Sequence, residues 1–397
     1  MKKLLILGGS HSDMPLIESG IAHGLTVFTT GNVSAHPGHR ISHHYIPGDF
    51  SNETEMERIA TELRIDAVVP GANDFALISA AYLAESLGLP GIDSLNIAKS
   101  LHYKDRFKEL ATSLGVPVGR YVLLSRNPTI EELDAIRNLN FPVLIKPVDL
   151  TGGKGIMRAH NFDSCSKLID EALLLSKQSS VVIEEWFPGS LHSYSTVVID
   201  REITFEYFDT EYCLYQDYLV STSISLCDIP REAQAMVTEA TKRVIKELNL
   251  SNGVLHCQFL YNTSNIQILE YTRRMSGDLY SSVIQLVRGI RHSDIFIAQS
   301  LNDDLRKLLT NHRPTLPYVS RHCITAEESG KFIGLLIPKH FRQFIERIVL
   351  AVPLGSKVAA DGRSKVAVII LAFQSKQQMT SHLKLLKEDL KCIVMKD

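Results

Sequence analysis

Residues 141–158 read FPVLIKPVDLTGGKGIMR, and this stretch decides how the rest of the sequence is interpreted. Its apolar run 143–145 predicts a short buried strand, with Lys146 at the end of that strand. The segment TGGKG at 151–155 follows, and its glycines allow a backbone to approach an anion closely and direct several N–H groups at it. Two lysines beside such a loop predict binding of the phosphates of ATP. A β-turn with solvated lysines is the alternative that this stretch alone leaves open.

Composition restricts the classes of protein to consider. The chain has 397 residues, enough for two or three domains, and its 45% hydrophobic and 22% charged residues are ordinary for globular proteins. A formal net charge of -2 provides no field that would favour nucleic acid or an anionic membrane. No apolar run approaches the roughly 20 residues that a bilayer requires. The 6 cysteines include no C-x-x-C pair, which favours a cytoplasmic location without a zinc site or a disulfide framework.

The first ninety-five residues show alternating strand and helix signals. A buried-type strand at 4–7, a glycine loop at 8–13, a helix at 14–23 and a strand at 25–29 predict a parallel sheet. Two further units make a small doubly wound domain. The glycine loop lacks the full G-x-G-x-x-G fingerprint, which argues against a nicotinamide site. The strand-end loops 8–12 and 71–74 could hold a substrate or serve only as turns.

The pieces that follow have a distinctive order. A helix at 94–114 contains Lys104, the strand with Lys146 and the glycine loop come next, and a segment VVIEEWFPG spans 181–189. In this order they resemble the ATP-grasp superfamily, in the branch of biotin carboxylase, carbamoyl-phosphate synthase and the purine-pathway carboxylate-amine ligases. The resemblance covers roughly residues 1–300.

The resemblance implies a mixed α/β and α+β fold in three parts. Residues 1–95 would form a Rossmann-like domain, residues 96–310 an ATP-grasp domain of two α+β subdomains, and residues 311–397 a small C-terminal α+β domain. Within the ATP-grasp domain it implies a glycine lid at 149–156, an adenine hinge at 184–187 and a metal hairpin at 254–272. We further expect a polar link at 311–316 and a closing helix at 377–390.

The resemblance also implies contacts with the phosphates of ATP. Lys104 and Lys146 would contact them directly, and Lys146 would also act in catalysis. Gly152, Gly153 and Lys154 would lie on the mobile lid. Lysines spread the charge of a triphosphate and stabilise the charge that develops on the transferred phosphoryl group. A lid that closes keeps water away from a reactive intermediate.

The base and the ribose of ATP would be bound by the next segment. By resemblance, Glu184 would accept the adenine amino group, and the backbone of Glu185, Trp186 and Phe187 would pair with the edge of the base. His192 would lie near the ribose.

A predicted hairpin would hold Mg²⁺ on the phosphates. Its strands are residues 254–261 and 266–270, and in the family two carboxylates face each other across it. Glu270 occupies the second position, whereas the first is the neutral Gln258 and the third ligand position is Thr272. Magnesium takes hard oxygen ligands, so we expect Mg²⁺ at Glu270 and Gln258, bound more weakly than usual. The alternative is a damaged site that binds nucleotide without turnover.

Arg274 matches the family arginine near the γ-phosphate and the substrate carboxylate, and a guanidinium suits either anion. We assign it a catalytic role, and we expect Arg273 to be a neighbour held by packing or by surface charge. Asp278 falls near the general-base position of members that use bicarbonate.

These features predict an ATP-dependent ligase. It would activate a carboxylate or bicarbonate as an acyl phosphate, which an amine or similar nucleophile would attack to form a C–N bond. The alternative is a non-catalytic or regulatory nucleotide-binding protein with a degenerate metal site. Small-molecule carboxylate and amine substrates, ATP and Mg²⁺, and a homodimer are the expected partners, and nucleic acid and membrane are not.

Overall fold

The computed structural model describes residues 1–310 and 316–396. The first part is a four-stranded parallel sheet in the order β3-β2-β1-β4, with helices on its faces. Its elements are β1 (Lys3–Leu7), α1 (Met14–Ala22), β2 (Thr26–Gly31), β3 (His44–Pro47), α2 (Glu53–Leu63), β4 (Ala67–Pro70) and α3 (Asp74–Leu87). The doubly wound domain predicted from the alternating signals is therefore present.

Strands β2 and β3 are added on one side of β1, whereas β4 is added on its other side. The connections therefore diverge between β1 and β4, and a crevice opens at the carboxyl ends of these two strands. Asp13 ties together the two loops that leave these strands. One of its oxygens accepts the N–H groups of Gly9 and Ser10 at 2.8 Å, and the other accepts the N–H of Ala72 at 2.7 Å. Both loops are thereby fixed at the edge that faces the rest of the chain.

A second, four-stranded antiparallel sheet follows, in the order β5-β8-β6-β7. Its core contains buried aliphatic residues of β6 and β8 that pack on α7. The elements of this part are α4 (Leu95–His102), α5 (Lys104–Ser113), β5 (Tyr121–Ser125), α6 (Ile130–Arg137), β6 (Val143–Pro147), β7 (Met157–Ala159), α7 (Phe162–Leu175) and β8 (Ser180–Glu185).

The single helix predicted over residues 94–114 is wrong, because the chain forms two helices. Tyr103 has an extended backbone, with φ -76° and ψ 126°, and it separates α4 from α5. The break places Lys104 at the first position of α5, where its backbone N–H donates to Val148 O at 3.2 Å. The interruption thus brings Lys104 next to the loop that follows β6.

The third sheet is the largest and has eight strands in the order β13-β12-β9-β10-β11-β14-β18-β16. One of its faces packs on α8, and the other carries α9 and α10 together with the first domain. The elements up to residue 310 are β9 (Ser190–Ile199), β10 (Glu202–Tyr212), β11 (Thr222–Ile224), α8 (Arg231–Glu247), β12 (Gly253–Tyr261), β13 (Ile266–Thr272), α9 (Tyr280–Arg288), α10 (His292–Ser300) and a 3-10 helix (Leu305–Leu309).

The last part contributes both to this sheet and to a separate three-stranded sheet in the order β17-β15-β19. Its elements are β14 (Tyr318–Thr325), β15 (Gly330–Leu336), α11 (Lys339–Arg342), β16 (Ile345–Leu350), β17 (Lys357–Val358), β18 (Lys365–Phe373), α12 (Lys376–Leu383), α13 (Leu386–Asp389) and β19 (Lys391–Met395). The single closing helix predicted at 377–390 is wrong, because two short helices lead into β19, which pairs with β15.

The proposed domain boundary at residues 310 and 311 remains a proposal. The predicted link at 311–316 lies outside the described residues except for Leu316. Strands β14, β16 and β18 come from beyond this boundary and join the sheet that contains the predicted metal hairpin. The C-terminal part therefore shares a sheet with the ATP-grasp part.

In the part of the chain that the structure describes, no helix combines the length and the apolar character needed to cross a bilayer.

Candidate active site

Three lysines line one side of the cleft between the second and third sheets, and we call Lys104, Lys108 and Lys146 the lysine wall. Lys146 lies on β6, and Lys104 and Lys108 lie one turn apart on α5. Burial lowers the pKa of Lys104 and of Lys108. The wall concentrates ammonium groups on a helix start and a strand end, as a polyphosphate site requires.

Glu184 is the carboxylate that holds two of these lysines in place. Its side chain is 1% exposed, Lys108 Nζ lies 2.5 Å from its Oε2, and Lys146 Nζ contacts its Oε1. Burial alone raises the pKa of Glu184, but the two ammonium groups outweigh it and hold the pKa at about 2. Both oxygens are therefore engaged by lysines, and the contact of Glu184 with the adenine amino group stays a prediction.

The lysine wall and the metal hairpin face the same space. The charges that act most strongly on Lys104 include Glu270 and Lys146, and those that act on Glu270 include Arg274, Lys104 and Lys146. The Glu270 side chain reaches solvent. Desolvation by the surrounding protein, followed by the charge of Asp74, raises its pKa. The structure thus brings together the four residues that the sequence assigned to phosphate, metal and catalysis.

The glycine loop lies beside Lys104, whose Nζ donates to Leu150 O. Gly152 and Gly153 have φ angles of 62° and 70°, in the left-handed region that favours glycine. A Cβ on Gly153 would lie 2.4 Å from Tyr218 O, so a side chain at that position could not fit. Lys154 is exposed at the tip of the turn. These features agree with a loop of the predicted kind.

The loop is also fastened from a distant part of the chain. Arg363, on the turn before β18, donates through Nη1 to Gly152 O at 2.9 Å and through Nη2 to Gly153 O at 3.1 Å. Arg363 could not be predicted, because nothing local marks an arginine 211 positions away as a partner of the loop.

The predicted adenine hinge is only partly free to pair with a base. The N–H of Glu185 donates to Arg120 O at 3.0 Å, and that of Trp186 donates to Pro142 O at 2.9 Å. These bonds continue the sheet beyond β8 and occupy both N–H groups, and the pairing of this segment with the base stays a prediction. These two hydrogen bonds do not involve the N–H of Phe187 or the backbone carbonyl groups of the hinge.

The structure contradicts the ribose contact predicted for His192. Its side chain is 3% exposed and stacks on Phe259, with the ring centroids 5.5 Å apart. Its Nε2 lies 2.6 Å from Ser190 Oγ, and its Nδ1 lies 3.2 Å from Thr210 Oγ1. Alternate residues of a strand point to opposite faces, so His192 faces the α8 side whereas Ser193 faces the cleft. Burial lowers its pKa.

Three acids lie on two strands of the large sheet near the metal hairpin, Asp209 and Glu211 on β10 and Glu270 on β13, and we call Asp209, Glu211 and Glu270 the acidic wall. Asp209, Ser193, Gln258 and Glu270 lie directly opposite one another across β10, β9, β12 and β13. Burial raises the pKa of Asp209 well above its usual range and that of Glu211 to about 7. Asp209 and Glu211 were not among the predicted site residues, although their i, i+2 spacing on a strand is a signal that they share a face.

The metal hairpin has oxygen donors suited to Mg²⁺. Gln258 and Glu270 are direct cross-strand partners, and Thr272 carries a buried Oγ1 without a hydrogen-bond partner. No three His, Cys, Asp or Glu side chains within residues 1–310 and 316–396 form a group that could hold a metal. Magnesium is often bound by one or two carboxylates together with phosphate and water, so the residues fit an ion that arrives with a nucleotide.

The two arginines after the hairpin have different surroundings. Arg274 Nε donates to Asp74 Oδ1 at 2.7 Å, so the start of α3 in the first domain is tied to the cleft. Arg273 is buried and donates to Asp93 and to the carbonyl groups of Val254 and Ser251. Of the two alternatives expected for Arg273, packing agrees with these contacts and surface charge does not, and Arg274 is the one that borders the cleft.

Asp278 occupies the centre of an ion cluster at the far end of the cleft. Its Oδ2 contacts Lys365 Nζ and lies 3.5 Å from Arg321 Nη1, and its Oδ1 lies 3.3 Å from His11 Nε2. Burial alone raises the pKa of Asp278, but Lys365 and the other neighbours outweigh it and hold the pKa far below its usual range. A carboxylate with so low a pKa is a weak proton acceptor, which argues against the general-base role.

Comparison with known proteins agrees with this geometry. Residues 109–277 match the family model of the ATP-grasp domain. The large chain of carbamoyl phosphate synthase from Pseudarthrobacter chlorophenolicus is 25% identical over 288 residues, which are 66% of this chain and 25% of that protein. The chain spans about a fifth to a quarter of the length of the curated relatives it matches.

Two solved structures share the fold over nearly the whole chain. L-amino acid ligase from Bacillus licheniformis superposes with a TM-score of 0.83 and 15% identity, covering 100% of this chain and 99% of that chain. The biotin carboxylase domain of 2-oxoglutarate carboxylase from Hydrogenobacter thermophilus, solved with MgADP and bicarbonate, gives a TM-score of 0.80 and 17% identity, covering 99% and 90%. The resemblance inferred from the glycine loop and its neighbours is confirmed: the chain contains an ATP-grasp domain.

Proposed function

We propose that the protein is an ATP-dependent ligase that activates a carboxylate or bicarbonate as an acyl phosphate for attack by an amine or a similar nucleophile. The observation that carries this proposal is the meeting of Lys104, Lys146, Glu270 and Arg274 around one cleft. Ammonium groups, a carboxylate that reaches solvent and a guanidinium suit a triphosphate, a magnesium ion and a second anion, respectively.

In the proposed reaction, a carboxylate oxygen attacks the γ-phosphorus of ATP, and the bond to the bridging oxygen breaks to release ADP. The amine then attacks the carbon of the acyl phosphate, loses a proton to solvent or a base, and expels phosphate. Lys146 and Lys104 would stabilise the phosphoryl charge, and Arg274 would orient the carboxylate. Magnesium, bound through Glu270 and Gln258, would neutralise phosphate charge. The glycine loop would exclude water from the acyl phosphate.

Isotope transfer tests the proposal. A carboxylate labelled with ¹⁸O, supplied with ATP, Mg²⁺ and candidate amines, should yield ADP and phosphate that carries one ¹⁸O. Label in AMP would indicate an acyl adenylate instead and would contradict the proposed chemistry. The Arg274→Met variant should lose turnover while still binding ATP, whereas Arg126→Ala, an exposed change on the outer surface, should behave like the wild type.

The second candidate is a nucleotide-binding protein without turnover. The observation in its favour is the neutral pair Gln258 and Thr272 at two of the three expected metal positions. ATP binding without ADP release across a broad screen of carboxylates, bicarbonate and amines would support this candidate against the ligase. The cytoplasmic location, the small-molecule partners and the homodimer remain proposals that accompany the ligase.

A further inference from the structure

A row of polar side chains crosses the large sheet towards the metal hairpin. Arg321 Nη2 donates to Ser223 Oγ at 2.9 Å, Ser223 is the cross-strand partner of Glu211, and Gln258 Nε2 donates to Glu211 Oε2 at 2.6 Å. Glu211, Ser223 and Arg321 are direct cross-strand partners on β10, β11 and β14. The register of the sheet therefore fixes the order in which these three side chains follow one another.

The direction of each bond follows from the type of group at its start. A guanidinium carries only donors, so Ser223 Oγ must accept from Arg321. The hydroxyl hydrogen of Ser223 is then available to Glu211. Arg321 is 2% exposed and Ser223 is fully buried, so water does not offer either group an alternative partner.

Glu211 is the acceptor at which the donors meet. It is 5% exposed, and as a carboxylate it can accept from both Ser223 and Gln258. The two ends of a glutamine amide have nearly the same shape, so hydrogen-bond partners decide which end is which. An acceptor on one side requires the NH₂ group of Gln258 there, and the amide oxygen must face away from Glu211.

The orientation matters because Gln258 is the cross-strand partner of Glu270. A hard cation binds the oxygen of an amide rather than its nitrogen. A glutamate at this position would present oxygen in either orientation, whereas a glutamine presents it in only one. A glutamine at the first position therefore needs a neighbouring group that orients its amide with the oxygen towards the metal.

We propose that Glu211 is a positioning residue that fixes the amide of Gln258, so that its oxygen and the carboxylate of Glu270 form the magnesium site. Partners behind a ligand orient it and set its affinity for the metal. This inference rests on the proposed function, because it assumes that the nucleotide brings its metal to the hairpin. A direct ligand role for Glu211 is the competing explanation, and the experiment below separates the two.

The test measures the gain in ADP affinity that a divalent metal provides. This gain is the dissociation constant of ADP in EDTA divided by that in Mn²⁺. Calorimetry gives the dissociation constant of ADP with EDTA and with saturating Mn²⁺ for each variant. We expect Glu211→Gln to reduce the gain by about 10- to 100-fold while the affinity in EDTA stays unchanged. Glu202→Gln, the same change at an exposed position of β10, should leave both values unchanged.

The same substitution, made in a protein that lacks the Gln258 amide, separates positioning from direct ligation. In a Gln258→Met chain, Glu211→Gln should have no further effect on the gain, because the amide that Glu211 orients is absent. Equal effects of Glu211→Gln in both backgrounds would show direct ligation and overturn the inference. If Glu211→Gln does not fold, Glu211→Asp keeps the charge but withdraws it from Gln258, and an unchanged gain for that variant would also overturn it.

Failure of the inference is distinguishable from failure of the proposed function. A wild-type protein that binds ADP equally with EDTA and with Mn²⁺ would overturn the inference alone. A wild-type protein that binds no ADP under either condition would remove the proposed function as well.

Discussion

The lysine wall and the acidic wall treat charge in opposite ways. On the lysine wall, Lys108 and Lys146 share the single carboxylate of Glu184, and the group stays ionised with a pKa of about 2. On the acidic wall, burial raises the pKa of Asp209 and Glu211. The lysine wall therefore has more positive charge than Glu184 can neutralise. On the acidic wall, burial disfavours the ionised form of the two acids. Such a cleft favours a polyanion on one side and a cation on the other.

The largest effect should come from removing the carboxylate of the lysine wall. Glu184→Gln leaves the ammonium groups of Lys108 and Lys146 buried without an anion, which should lower the free energy of unfolding by about 3–5 kcal/mol. Urea unfolding monitored by circular dichroism measures this loss. Glu171→Gln, an exposed change on α7, is the matched control. A loss below about 1 kcal/mol would mean that water or another anion already screens the lysines.

Acid should remove the same stabilisation from the wild type. The pKa of Glu184 is about 2 in the fold against a usual value of 4.5, so its ionisation stabilises the fold above pH 4.5. Linkage gives about 3 kcal/mol, which is lost as the pH falls from 4.5 towards 2. Urea midpoints across this range should fall more steeply for the wild type than for Glu184→Gln. Parallel curves would contradict the assigned pKa.

The next largest effect concerns the affinity for ATP. Lys146→Met removes a charged donor from the phosphate side and should weaken ATP binding by about 10- to 100-fold, since a hydrogen bond to a charged group contributes about 1.5–3 kcal/mol. Calorimetry with ATP and Mg²⁺ measures the change. Lys167→Met removes an exposed lysine of α7 and should bind ATP as the wild type does. Equal affinities for both variants would place the phosphates elsewhere.

The smallest effect should come from removing the hydrogen bonds between Arg363 and the glycine loop. Arg363→Ala removes two hydrogen bonds to Gly152 and Gly153, worth about 1 kcal/mol at a partly exposed site, so the loop should open about fivefold more often. The rate of tryptic cleavage after Lys154, followed by mass spectrometry, reports this opening. Arg126→Ala is the control. If Arg363→Ala is cleaved at the wild-type rate, the contact does not restrain the loop.

Sequence patterns predicted the elements and residues that local chemistry defines. The strand before Lys146, the glycine loop and the hairpin with Glu270 carry their signals within a few residues of one another. The engagement of Glu184 by Lys108 and of the loop by Arg363 depends on which distant segments the fold brings together. His192 shows the same limit, since a one-residue difference in strand register decides whether a side chain faces the cleft or the core.

Asp278 and Leu279 join the metal hairpin to α9 with φ angles of 53° and 59°, a conformation that non-glycine residues adopt at a cost of about 1–3 kcal/mol each. The contacts that offset this cost come from Ser12 near the start of the chain and from Lys365 near its end. We therefore expect a ribosome-bound chain to leave this junction unformed until β18 has been synthesised. The junction would then form only after the strands that carry Lys146 and Glu184 have been synthesised.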